Sequence, residues 1–173
     1  MTFSALSEYA RDVGGRIDMS LAIQKVLVSP TGNPAQTETE VGDHRLSISV
    51  VFTSVESTFA ALREAGALAI SLSARLTLLV PQLVPYVLPL ESPPVLVEFN
   101  ENRFRSLARQ SPVETHVHIY LCRDKAQTLA SVLSPGSIVV MGGRRRWWWP
   151  SSDEVLARQL RRAGHDVIFK ETE

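Results

Sequence analysis

Between Ile48 and Lys170 the hydrophobic period switches back and forth between that of a strand and that of a helix, and few folds accommodate such a chain. Ile48, Val50, Val51 and Phe52 form a first apolar run that ends at Thr53-Ser54. A helix is predicted from near Val55 on the spacing Phe59, Leu62, Gly66, Ala69. Leu76 to Val80 reads as a second strand, and Pro93-Pro94 can open a helix carrying Leu96, Phe99, Leu107 and Ala108 on one side. His116, His118 and Tyr120 alternate with Val117, Ile119 and Leu121, the pattern of a third strand with one wetter face, as at a sheet edge. Asp124 and Gln127 have capping-box spacing ahead of Ala126, Leu129, Ala130 and Leu133, and Ser134-Pro135-Gly136 stops that helix. Strands joined this way through helices lie parallel in one sheet with helices on both faces.

The fourth strand and its helix carry the clearest local signals. Ile138, Val139, Val140 and Met141 form an uninterrupted apolar run, as expected of a parallel strand covered on both faces, and Gly142-Gly143 ends it with a turn. Pro150 and Ser151 announce a helix, and Glu154 stands three residues after Ser151, the spacing of a reciprocal capping box. Val155, Leu156, Leu160 and Ala163 give its apolar stripe, Arg158, Arg161 and Arg162 its outer face, and Gly164 a left-handed C-terminal cap. Asp166 to Lys170 then supplies a fifth strand. Any ligand site of such an arrangement lies beyond the carboxyl end of its strands.

Before this region the signals are weaker. Phe3, Leu6, Tyr9 or Ala10, and Val13 recur at helical spacing, and Ile23 to Val28 can form a short strand. Ser29 to Asp43 has almost nothing to bury and reads as a flexible linker. The division expected is therefore an arm and linker over residues 1–45 and an α/β domain over 46–173. Lys plus Arg balance Asp plus Glu at 18 each, so no global field draws the chain toward nucleic acid or anionic lipid, and neither partner is expected. The single cysteine, Cys122, rules out a disulfide framework within the chain and suits a reducing compartment, which with the absence of a signal-like segment in the first residues predicts a cytoplasmic protein. The most hydrophobic window, Gly66 to Leu90, contains Arg75, Pro81, Pro85 and Pro89, which argue against a membrane span.

With this order established, residues 46 to 171 resemble the universal stress protein family. The opening strand ISVVFTS, ARLTLLVPQLVP, SIVVMGG and the closing SSDEVLARQLRRAGHDVIF carry the likeness. The resemblance implies a doubly wound α/β fold with sheet order 3-2-1-4-5, a regulatory or stress-response role without catalysis, and a homodimer through the last strand, around Val167, Ile168 and Phe169. ATP-binding members resemble one another in an acidic residue after the first strand and in Gly, two residues, Gly, nine residues, then Gly-Ser or Gly-Thr. Here Thr53 or Ser54 takes the acidic position. Counting from Gly142, the later glycine positions hold Arg145 and Val155; counting from Gly143, they hold Arg146 and Leu156. The expectation is thus weakened or lost ATP binding. The alternative is a genuine nucleotide sensor, with Gly142, Gly143, Arg144, Ser151 and Ser152 around the phosphates and Thr53, Ser54 and Val80 near base and ribose.

Arg144 to Pro150, RRRWWWP, is the most unusual string. Consecutive residues of an extended segment point in different directions, so the three tryptophans cannot all enter one core. Two are expected to pack over the open end of the sheet, with the arginines helping to fill the crevice there. The competing reading makes Arg145, Arg146, Trp147, Trp148 and Trp149 an interaction surface, for a protein partner in the first instance and for a peripheral membrane anchor in the second. His116 and His118 share a strand face without cysteines or carboxylates to complete a metal site. No nucleophile elbow, Walker loop or paired-cysteine motif occurs, and no metal or catalytic residue is assigned.

Overall fold

The computed structural model describes residues 22–28, 46–90, 93, 97–144 and 148–172, with the backbone alone for 22–28 and 97–100. In chain order its elements are β1 (Ala22–Val28), β2 (Ser47–Val51), α1 (Val55–Leu72), β3 (Arg75–Leu83), α2 (Val97–Ala108), β4 (Thr115–Cys122), α3 (Lys125–Val132), β5 (Ile138–Gly143), α4 (Ser152–Arg162) and β6 (Asp166–Glu171). The predicted helix within residues 3–13, the linker at 29–43, and Arg145, Arg146 and Trp147 lie outside the described residues.

Five strands run parallel in the order β4-β3-β2-β5-β6, which counted from β2 is the expected 3-2-1-4-5. Their continuous apolar runs follow from burial on both faces. Ile48, Val50, Leu76, Leu78, Val80, Val117, Ile119 and Val140 form one core with Ala61, Leu62, Ala65 and Ala69 of α1 and Phe104, Leu107 and Ala108 of α2. Val51, Leu79, Tyr120, Val139, Met141 and Val167 form the other with Leu129 of α3 and Leu156, Ala157 and Leu160 of α4. Odd and even residues of each strand therefore serve different helix layers. The arrangement is a doubly wound, Rossmann-like α/β sheet.

One expectation needs correction. β4 is not the margin of the sheet, because β1 pairs along it antiparallel, from Ala22 opposite Cys122 to Val28 opposite His116. His116 and His118 are half-buried, and the alternation read as an open edge belongs to a strand flanked by a sixth strand in the same sheet. Pro81 inside β3 also has a local reason. Phe52 N–H donates to Leu79 O at 2.8 Å, so odd residues of β3 face β2, and Pro81's missing N–H falls where β2 has already ended.

Helix ends follow the sequence signals. Ser151 Oγ accepts from Glu154 N–H at 3.2 Å while Ser151 N–H donates to Glu154 Oε2 at 3.1 Å, the complete capping box. At the other end of α4, Gly164 takes φ +92°, and His165 N–H donates to Leu160 O and Gly164 N–H to Arg161 O, closing a Schellman turn. Asp124 caps α3 by accepting from Gln127 N–H at 2.9 Å. Gly66 lets α1 pass Pro112, whose Cγ would lie 2.5 Å from a side-chain carbon there.

Candidate functional site

In an open parallel sheet the natural cleft lies where neighbouring strands send their chains to opposite faces. Here that place is between the carboxyl ends of β2 and β5, since α1 belongs to one helix layer and α4 to the other. Of the residues singled out in the sequence as nucleotide contacts, Thr53, Ser54, Gly142 and Gly143 gather there, and Thr53 and Gly142 bond to each other across it.

Thr53 Oγ1 donates to Gly142 O at 2.7 Å, tying the end of β2 to the end of β5. Thr53 N–H donates to the fully buried Thr58 Oγ1 at 3.1 Å, and Ser54 caps α1 by accepting from Ser57 N–H at 3.2 Å. The first turn of α1 is thereby drawn onto Gly142, so closely that a Cβ at Gly142 would lie 2.0 Å from Ser57 O. Ser57 Oγ and Thr172 Oγ1 share a hydrogen bond of 2.9 Å, and Thr172 N–H donates to Gly143 O at 3.0 Å. Gly143 in turn admits the Phe169 ring, whose Cζ would stand 2.6 Å from a Cβ, with Asp153 Cβ at 3.1 Å from the same point. The glycines thus accommodate helix backbone and an aromatic ring.

The start of α4, the other resource for an anion, is partly engaged. Its capping box takes the Ser151 and Glu154 amides, and Asp153 and Glu154 place carboxylates in the first turn. Burial lifts the Asp153 carboxyl above its ordinary value, against the opposing influence of Lys125 and a hydrogen bond with Ser152. A negative group arriving here meets acid before it meets free amides. Ser152 and Arg144 are exposed nearby, while Val80, expected near base and ribose, is packed into the core under α1 and α2.

Trp148 and Trp149 are 84% and 78% exposed, so two tryptophans do not pack over the end of the sheet as expected, and among the described residues it is Ser57, Phe169 and Thr172 that occupy the crevice. The hydroxyls at Ser57, Thr58 and Thr172 were not anticipated; the only sequence cue is Ser54-x-x-Ser57 at a helix start, which signals a cap but no contact across the sheet. A second loop at the same carboxyl rim also projects apolar groups. Arg123 donates to the carbonyls of Val84 (2.8 Å), Pro85 and Leu88 (2.7 Å), stacks 5.1 Å from the Tyr86 ring centroid, and so holds Tyr86 and Val87 outward.

Away from the crevice, an open pocket of about 340 Å³ lies between α1 and β6, lined by Ala60, Arg63, Glu64, Ala67 and Lys170, with Lys170 Nζ 3.3 Å from Glu64 Oε2. Ser137 Oγ and the buried His165 Nδ1 lie 3.2 Å apart at the amino end of β5 and β6, where they tie the turn after α4 to the sheet. Cys122 is buried, and that burial raises its thiol despite Thr128 and Lys125. Among the described residues there is no cluster of three or more potential metal ligands, and no helix is long and apolar enough to cross a membrane.

The class defined by these features is an α/β sheet of the doubly wound, Rossmann-like type whose switch point is closed by its own residues. No family model, curated protein or solved structure matches the chain, so the assignment of a role rests on the geometry.

Proposed function

We propose that this chain is a non-catalytic, universal-stress-protein-like regulatory module that acts through protein contacts, its own second copy included, with ATP binding weakened or lost. The observation that carries the reading is the closed switch point: Thr53 bonded to Gly142, with the Ser57 backbone seated on the same glycine. That is the position at which the resembled family takes its nucleotide. Opening it means breaking the Thr53, Ser57 and Thr172 hydrogen bonds and shifting the first turn of α1. A ligand that binds only the folded state raises its melting temperature by mass action. Scanning the full chain with and without millimolar MgATP is therefore expected to leave the melting temperature unchanged, and a dose-dependent rise would favour the nucleotide sensor instead.

The exposure of Trp148 and Trp149 beside Arg144 favours a second reading, an anchor built on residues 144–149. Tryptophan and arginine suit both a protein hot spot and a lipid interface. The exposed Glu56, Asp124 and Glu171 near the same rim weigh against an anionic membrane. Flotation with anionic vesicles is expected to leave the chain unbound; flotation that is lost in Trp148→Ala would establish the lipid version. Self-association is assigned to β6, whose outer side is unpaired among the described residues.

A further inference from the structure

β6 pairs with β5 on one side and, among the described residues, with no strand on the other. The hydrogen bonds at its ends reveal which backbone groups face outward. Asp166 N–H donates to Ser137 O at 3.1 Å and Thr172 N–H to Gly143 O at 3.0 Å, so the even-numbered residues turn toward β5. Successive residues of a strand direct their N–H and C=O to opposite sides, which leaves Val167, Phe169 and Glu171 directing theirs outward. A second strand arriving at this margin would meet those three residues.

One of the outward groups is already taken. Arg161, in the last turn of α4, donates from Nε at 3.2 Å and from Nη2 at 2.8 Å to Val167 O. A guanidinium offers its donors in a fixed fork, and here two prongs converge on a single carbonyl. Its positive charge lies directly in the path of an approaching backbone.

We propose that Arg161 is a latch on the β6 margin, so that pairing with a second copy of this chain requires its fork to leave Val167 O. The proposal rests on the assignment of self-association to β6 and adds the residue that governs it. Edge strands are commonly protected from unwanted pairing by charge placed along them. Arg161 performs that protection reversibly, because the fork can swing into solvent while α4 stays in place. In a two-fold pair of strands the latch acts twice, once from each copy, so its removal is felt twice in the dimer equilibrium.

Light scattering after size exclusion, run on the full chain over a concentration series, tests this. Arg161→Met keeps the aliphatic stem and removes the fork; its dimer dissociation constant is expected to fall about tenfold relative to the parent chain. Adding Glu171→Pro deletes one outward N–H while sparing every bond to β5, and is expected to return the protein to monomer. A merely structural role for Arg161 lowers the melting temperature of Arg161→Met without strengthening association, and that result overturns the latch. If association is unchanged in Arg161→Met yet weaker in Glu171→Pro alone, the margin is the interface and the latch is wrong. If Arg161→Met associates more strongly and Glu171→Pro fails to reverse it, the interface lies elsewhere and both statements fall.

Discussion

Gly142 is the residue at which sequence and structure give the same letter different meanings. A glycine at the end of a parallel strand invites the reading that backbone amides must approach a phosphate. The contacts assign it another duty, making room for the Ser57 carbonyl. No rotamer relieves a clash at Cβ, so Gly142→Ala must push α1 away from β5. The expected cost is about 1–3 kcal/mol, the usual range for overpacking, and a chemical denaturation midpoint measures it. An unchanged midpoint would mean that α1 sits on β5 more loosely than the contacts imply. The sequence could not convey this, because the partner of Gly142 lies some eighty residues earlier and its side chain is an ordinary serine.

At the scale of elements, α4 was the most legible part of the chain. Its start and its stop are written in local patterns, and Ser151, Glu154 and Gly164 take the positions those patterns require, whereas of the expected stripe Leu156 and Leu160 are buried, Val155 and Ala163 are exposed, and Ala157 is buried instead. Strands β2, β3 and β5 were readable for a related reason: burial on both faces leaves unbroken apolar runs. β4 was recognised as a strand but misjudged as a margin, since pairing along a strand edge involves backbone groups that leave no trace in residue type. The start of α4 also supports a pH prediction. Asp153 is held above its ordinary 3.8 by burial, so the folded chain binds that proton more tightly than the unfolded chain. Its contribution to stability is present below 3.8 and is lost as pH rises through the elevated value. Asp153→Asn removes this loss. The melting temperature of the variant minus that of the parent should therefore grow more positive between about pH 3.5 and about pH 7; a difference that stays flat would show that the carboxyl titrates as in the unfolded chain.

For the whole molecule, the parallel direction of the strands follows from the alternation of periods and their order from the resemblance, while the residues that close the crevice were not legible. Fold class depends on patterns repeated over many residues, so single exceptions average out. Closure depends on three hydroxyls, at Thr53, Ser57 and Thr172, that meet only after the sheet has assembled. The same distinction explains why the missing glycine pattern raises doubt about ATP in the sequence, while the outward course of Trp148 and Trp149 is not written there. Charge and aromaticity were legible; the direction in which the loop carries them was not.

The antiparallel course of β1 has a practical corollary. Ala22 sits opposite Cys122 and Thr172 beside Gly143, so the described chain enters the sheet on one flank and leaves it on the other at a single pole, about 24 Å apart if five strand spacings of roughly 4.8 Å separate them. Trp148 and Trp149 project from that pole too. A reporter joined directly at Ala22 or at Thr172 would stand at the pole of the tryptophan loop, whereas a label in the turn at Ser134-Pro135-Gly136, at the opposite pole, would leave it clear.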